Sequence, residues 1–303
     1  MLLDLSDDQI SLRDGIRALL DGRFGPERIR EGFDRAMFAE LAEAGVFSLI
    51  ADGFSWADAT IVFEQLGEFC VPGPLVGSFL AGDGRIVGVV DAESPDVIEH
   101  LAALDAVAVL AADSVRMVDA TAISAVPLDW PLDPLSPVSR ASARSDGVPL
   151  AGADAGEWRD RGAVLTAALC LGIAQRLTTL SVTYSLERQQ FDRPIGGFQS
   201  IKHLLADMAV RTEVARAAVY NAGAHLDAPQ LAGLGRSISV AKALAGEAAI
   251  RNGKDATQVH GGMGYTWEVD VHLWLKRAWV LDTHFGGHEH HYDLVAATAG
   301  PAR

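Results

Sequence analysis

The last half of the chain reads as four long helices in succession, and this constrains the fold more than any other feature. The first runs from about Trp158 to Glu187. The second restarts near Gln199, with Ile201, Leu204, Leu205, Met208, Thr212, Ala215 and Val219 spaced along one face. The third covers about Arg236 to Val259 and lines its face with Ala241, Leu244, Ala248 and Ala256, small enough for close helix approach. The fourth follows "GGMGYT" and carries "VDVHLWLKRAWVLDTHF". Four such helices in order predict an antiparallel bundle.

The first third is also helical. Ser6 to Gln9 fits a capping box, in which the serine takes an amide three residues on and the glutamine reaches back. Ile10, Leu12, Ile16, Leu19 and Leu20 then supply an apolar stripe. A second helix, about Phe33 to Ala44, stops at Gly45, and a third, "ADATIVFEQLGEF", runs into "CVPGPL", where two prolines end it. From about Gly82 to Trp158 short β-rich runs ("RIVGVV", "AVAVLAA", "VRMV") alternate with polar breaks. The five prolines between Pro127 and Pro149 mark loop or edge strand. The expected fold is mostly α with a small β domain. It divides into an N-terminal helical domain (1–81), a reduced central β domain (82–158) and a C-terminal four-helix bundle (159–303).

A formal charge of −15 argues against nucleic acid or an anionic membrane as the main partner. The two cysteines, Cys70 and Cys170, lie far apart among apolar neighbours and predict buried thiols in a reducing cytoplasm. The N-terminus "MLLDLSDDQ" lacks a basic region followed by an apolar core, so no secretory signal is expected. The apolar stretch around "AVLTAALCLGIA" is short and alanine-rich for a membrane span.

Two motifs carry candidate chemistry. In "RQQFDRPIGGFQSIKH" (188–203), Arg188 offers five fixed donors suited to a pyrophosphate. Phe191 and Phe198 offer flat apolar surface, and Gln190 and Gln199 can read polar edges of a base or ribose. Pro194 stiffens the turn, and Gly196 and Gly197 allow close backbone approach. The same loop also reads as an ordinary helix–loop–helix turn whose arginine complements a helix dipole. The second motif, "QVHGGMGYT" (258–266), reads alone as a helix cap; no strand precedes it, so it is not a dinucleotide fingerprint.

"YSLERQQFDRPIGGFQSIKHLLADM", followed two helices later by "QVHGGMGYTWEVDVHLWLKRA", resembles the acyl-CoA dehydrogenase family. "LAEAGVFSLI" and "FEQLGEFCVPGPL" resemble its N-terminal helical domain. The likeness covers both ends of the chain and fails in the middle. It implies FAD shared across a subunit interface, with a loop from one subunit reaching the nucleotide half of its neighbour's flavin. By position, Arg188 would contact the pyrophosphate, and Gln190 and Phe191 would flank the cofactor. Phe198 and Gln199 would line the same wall, and Gln258, Gly261 and Gly262 would meet the nucleotide end.

The family removes the α proton of an acyl thioester with a carboxylate base while flavin takes the β hydride. By resemblance the base falls at Gly286 or, in a minority of members, at Gly162; neither is a carboxylate. Glu289 and Asp160 are the nearest substitutes, with His284 adjacent, and both acids also read as solvated helix-end charges. The flavin-ring loop usual in the family is not found between Gly82 and Trp158. The resemblance therefore extends to the short, non-catalytic subunit of actinobacterial heteromeric members, tetramers of two long and two short chains. It implies a full-length acyl-CoA dehydrogenase subunit as partner, an acyl-CoA substrate, possible action on steroid side-chain thioesters and electron transfer to an electron-transfer flavoprotein. Two other readings stay open: a competent homo-oligomer with a relocated base, and a flavin-free scaffold. His284, His288 and His291, at i, i+4 and i+7 with His290 nearby, could share a helix face, but no metal site is expected. Trp274 and Trp279 are expected to pack.

Overall fold

The computed structural model describes residues 5–93 and 97–298. Its helices are α1 (Asp7–Arg23), α2 (Pro26–Arg30), α3 (Arg35–Glu43), α4 (Trp56–Glu68), α5 (Leu75–Ala81), α6 (Ala155–Glu187), α7 (Gln199–Leu226), α8 (Leu234–His260), α9 (Val271–Thr283) and α10 (His288–Thr298). Its strands are β1 (Val87–Asp91), β2 (Val97–Glu99), β3 (Ala106–Leu110), β4 (Val115–Asp119), β5 (Ser124–Pro127), β6 (Val138–Ala143), β7 (Val148–Pro149), β8 (Gln189–Gln190) and β9 (Arg193–Pro194). Residues 1–4, where the N-terminal reading begins, and 299–303, the end of the expected bundle, lie outside the described residues. Two compact units are present, one from residues 1–26, 56–71 and 163–303, the other from 27–55 and 72–162.

The first unit carries the long helices. The capping box forms: Gln9 N donates to Ser6 Oγ at 3.2 Å and Ser6 N to Gln9 Oε1 at 3.1 Å. Of the α1 stripe, Ile16 and Leu20 are buried and Ile10 is exposed. Helix α4 is buried from Ala59 to Glu68, including its polar residues Glu64, Gln65 and Glu68. Those groups are partnered: Glu68 pairs with Arg17 of α1, and Glu64 accepts from Arg216 and from the Tyr220 hydroxyl (2.6 Å) of α7. Burial of such groups is tolerable only when each is hydrogen-bonded.

Asn252 of α8 ties three bundle helices together. Its Nδ2 lies 3.3 Å from the Ala174 carbonyl of α6 and 3.1 Å from the Met208 carbonyl of α7, and its Oδ1 accepts from Arg211 at 2.9 Å. Thr178 and Thr212 meet at 3.4 Å, and Arg216 donates to Gln175 at 2.7 Å, so α6 and α7 run antiparallel. Helix α6 is long and apolar enough to cross a bilayer, which the short apolar stretch alone did not suggest. Its residues Ala163 to Ala174 are nevertheless buried, which makes it a core helix.

α4 and α6 cross closely. A Cβ at Gly172 would stand 1.9 Å from the Glu64 carbonyl oxygen, a backbone atom that cannot rotate away. Gly172→Ala is therefore expected to destabilise the protein by at least ~1–3 kcal/mol, the usual cost of overpacking. A urea midpoint within experimental error of wild type would show that the helices can separate cheaply.

The last bundle segment differs from the sequence expectation. Helix α9 ends at Thr283, His284 is extended, and Phe285 (φ 55°) and Gly286 (φ 92°) are left-handed before α10 begins. A left-handed pair cannot continue a right-handed helix. His284, His288 and His291 consequently do not share one helix face, which corrects that expectation. Among the described residues no group of three or more metal-ligating side chains is placed to hold an ion. Trp274 packs as expected and donates from Nε1 to the Glu68 carbonyl at 3.0 Å; Trp279 is half-buried. Both cysteines are buried and free, and burial pushes the Cys170 thiol up to about 12.

The second unit holds a four-stranded sheet, order β1-β3-β4-β7, and a three-stranded sheet, order β2-β6-β5. β1 and β3 are parallel, with Val87 opposite Ala106, and β3 is buried along its whole length. The proline-rich stretch is corrected in part. Pro127 and Pro149 sit on the edge strands β5 and β7, but the proline-free β6 is the middle strand of its sheet. At "CVPGPL" the helix stops at Glu68, before either proline; Cys70 is left-handed (φ 51°), and Pro74 instead occupies the N-cap of α5.

Candidate functional site

The first motif folds as a small self-packed projection. Helix α6 ends at Glu187, and the Arg188 N–H still donates to the Tyr184 carbonyl at 2.8 Å. β8 and β9 form a hairpin whose two tip residues, Phe191 (φ 54°) and Asp192 (φ 60°), are both left-handed. Two-residue hairpins need this geometry, yet Asn or Gly normally supplies it, so the Phe-Asp pair is strained. Phe191 is 86% exposed, stands edge-on to Phe198 at 6.0 Å, and Arg193 covers the Phe198 ring at 4.0 Å. Ile195 N closes the base of the loop onto the Arg188 carbonyl at 2.8 Å.

Helix α7 then starts at Gln199. Its N-cap, Phe198, offers no side-chain acceptor, so no side chain caps the first-turn amides. Amides at the start of a 28-residue helix favour an anion.

The second motif lies at the same end of the bundle. Gln258 is exposed in the last turn of α8, Gly261 (φ 59°) ends that helix, and Gly261–Tyr265 form a 3₁₀ turn. The two motifs are joined by three residues that sequence reasoning did not single out. Tyr184 stacks on His260 with ring centroids 4.2 Å apart, and its hydroxyl is 3.8 Å from Met263 Sδ. Desolvation lowers the His260 pKa despite a 2.8 Å hydrogen bond to the Ala256 carbonyl, so it stacks as a neutral ring. The available signal was position: Tyr184 lies one helical turn before Arg188, and His260 directly precedes Gly261.

Much of this surface has unused bonding capacity. Among the described residues the side chains of Arg188, Gln199 and Gln258 have no hydrogen-bond or ion-pair partner, and all three are exposed. Gln190 alone bonds locally, to the Gln189 carbonyl at 2.8 Å. Among the described residues a Cβ at Gly262 would meet nothing within 4 Å, so their packing does not require glycine there. An unpaired guanidinium, two unpaired amides, uncapped helix amides, a protruding aromatic ring and an open glycine together suit a ligand with anionic and flat aromatic parts. FAD is such a ligand, and the residues present fit its nucleotide half.

The positions expected for a base are different in kind. Gly286 is left-handed, and a Cβ there would stand 2.8 Å from His290 Cδ2 and 3.0 Å from His291 Nε2. A glutamate at 286 would be both strained and blocked. Gly162 is buried in α6. Glu289 is exposed in the first turn of α10. Asp160 is half-buried in α6; desolvation raises its pKa, and the nearby Asp154 and Glu157 raise it further.

Comparison with known proteins agrees with the motifs. Residues 159–300 match the model for "Acyl-CoA dehydrogenase, C-terminal domain". The chain is 31% identical over 305 residues to acyl-CoA dehydrogenase IpdE2 of Mycolicibacterium smegmatis, across 90% of this chain and 93% of that protein. The chain belongs to the acyl-CoA dehydrogenase family. The family comprises oxidoreductases that act on CH–CH bonds. The acyl-CoA dehydrogenase fold extends over the whole chain. The ChsE4–ChsE5 complex from Mycobacterium tuberculosis superposes with a TM-score of 0.84 at 21% identity, covering 100% of both chains. The Tcur3481–Tcur3483 steroid ACAD gives 0.84 at 18%, covering 97% of this chain and 98% of that one.

Proposed function

We propose that this chain is a short, non-catalytic subunit of a heteromeric acyl-CoA dehydrogenase that completes the FAD site of a full-length partner subunit. The observation that carries this reading is an imbalance between two regions. Exposed groups without partners among the described residues lie at the end of the bundle where the family meets a neighbour's cofactor, while glycines occupy both family base positions.

Arg188 would hold the pyrophosphate, with Gln190 and Phe191 beside the cofactor and Phe198 and Gln199 along the same wall. Gln258, Gly261 and Gly262 would meet the nucleotide end. Bound FAD supplies the hydride acceptor for oxidation of an acyl-CoA to its 2,3-enoyl-CoA. The partner supplies the proton acceptor and the flavin-ring loop, and electrons leave through an electron-transfer flavoprotein. A heterotetramer acting on a steroid side-chain thioester is supported by the likeness to a named complex and a named steroid ACAD. At sequence level we retain the division into 1–81, 82–158 and 159–303.

One observation favours a second reading. The raised pKa of Asp160 would suit a relocated general base in a homo-oligomer. Purification distinguishes the two. The chain alone is expected to be colourless, and to become part of a yellow, active complex when co-expressed with a full-length homologue. Yellow, active protein from the chain alone would reverse the assignment toward Asp160 or Glu289. An active complex whose flavin content is indifferent to this chain would make it a scaffold. Gly262→Ala sharpens the test: flavin per complex is expected to fall several-fold while the chain's own denaturation midpoint stays put, because the described residues leave that space open.

A further inference from the structure

We propose that the α9–α10 junction is an acid-opened hinge, latched by His291 and Asp282 over a buried Lys242. The proposal does not depend on flavin binding. Phe285 and Gly286, both left-handed, form the hinge, and α10 is the arm. Lys242 of α8 is fully buried and donates from Nζ to the Asp282 carbonyl at 2.8 Å. The Asp282 carboxylate reaches forward across the hinge, where Oδ2 meets His288 Nδ1 at 2.6 Å and Oδ1 accepts from His288 N at 3.2 Å. His291, 5% exposed, reaches back, with Nε2 2.9 Å from the Phe285 carbonyl. Two hydrogen-bonded clasps therefore span the same four-residue break, 284–287.

The clasp at His291 works in one protonation state. Its partner is a carbonyl, so Nε2 donates and the neutral ring has no proton on Nδ1. That Nδ1 is buried without a hydrogen-bond partner among the described residues. Protonation would put a donor with no acceptor, and a positive charge, into a space that already holds Lys242.

The charged and titratable groups facing His291 are Lys242 from α8, Asp282 from α9 and His290 on its own helix. Cys170 of α6 stands behind Lys242, and His288 is one turn earlier on α10. Desolvation holds His291 below its usual 6.5, against the bond to Phe285 and the attraction of Asp282, with Lys242 and His290 adding to the lowering. With the folded pKa lowered, the stabilisation is complete above about 6.5 and is lost as pH falls from there toward the folded value. Acid therefore undoes the His291 clasp and loosens α10 about the hinge, leaving Asp282 to hold the first turn of the arm at His288. Above that range the closed hinge holds Gly286 in the conformation that excludes a side chain.

Hydrogen exchange on the full chain tests this, with rates corrected for intrinsic pH dependence. Between about pH 7.5 and about pH 5.5, peptides covering 284–298 are expected to lose protection, while α6–α8 core peptides keep theirs. His291→Gln retains a donor for Phe285 and cannot titrate, so its protection should not change with pH. A flat wild-type profile, equal loss throughout the bundle, or the same acid loss in His291→Gln would overturn the proposal. Should that variant fail to fold, ring-nitrogen NMR of the wild type decides instead. The His291 titration must coincide with the loss of protection, and separation of the two events would overturn the hinge.

Discussion

Arg188→Ala is expected to weaken FAD retention in the assembled complex by roughly 10- to 150-fold, corresponding to ~1.5–3 kcal/mol for a hydrogen bond to a charged group. The size of the effect follows from what the side chain does in the isolated chain. It is exposed, has no ion-pair or hydrogen-bond partner among the described residues, and directly follows the last turn of a 33-residue helix that fixes its root. Removing it breaks nothing internal, so the chain's own stability should change by less than ~0.5 kcal/mol. Arg188→Lys keeps the charge but loses the fork and should recover only part of the affinity. Flavin released per complex during dialysis, read from its visible absorbance, measures all three proteins. Equal flavin loss in wild type and Arg188→Ala would remove the main support for a shared cofactor site.

Glu64→Ala carries the largest expected cost to the fold, ~2–4 kcal/mol, because it takes the buried counter-charge from a partly buried arginine and the acceptor from Tyr220. Glu64 is 2% exposed on α4 and is the acceptor for both Arg216 and Tyr220 on α7. Of the contacts Arg216 keeps, Gln175 is neutral and Glu213, 3.3 Å away, is exposed and so only a weak counter-charge. Tyr220 is affected as well: burial, followed by the charge and hydrogen bond of Glu64, pushes its pKa up and keeps the hydroxyl protonated as a donor. Replacing both members of the pair, as in Glu64→Leu with Arg216→Met, should cost less than Glu64→Ala alone, since no uncompensated charge remains. Urea denaturation of the three variants gives the comparison. A single-variant cost below ~1 kcal/mol would mean that solvent reaches Arg216 and that apolar packing alone docks α4 on the bundle.

The elements legible from sequence were those governed by local rules. The Ser6–Gln9 capping box, the stop of α3 before Gly45 and the long periodic helices of the bundle all appear where short-range chemistry places them. β6 was obscured because nearby prolines suggested an edge, whereas the strand itself contains none and finds neighbours on both sides. The histidine series was misread for a related reason. Helical spacing was counted through Phe285 and Gly286, and nothing in a one-letter string marks a left-handed phenylalanine.

By itself the sequence determined the family, through two loop motifs whose residue types and order suit a nucleotide, and the absence of a carboxylate at residues 162 and 286. Tertiary structure decided which of those residues have unmet bonding capacity. It brought Arg188 and Gly262 to one end of the bundle through the Tyr184–His260 stack, and it set Asp282, His288 and His291 around a hinge over Lys242. The physical reason is range. A cap or a helical stripe is complete within a few residues, whereas a stacked ring pair or a buried lysine takes its meaning from groups 40 to 76 positions away, which only the packed chain supplies.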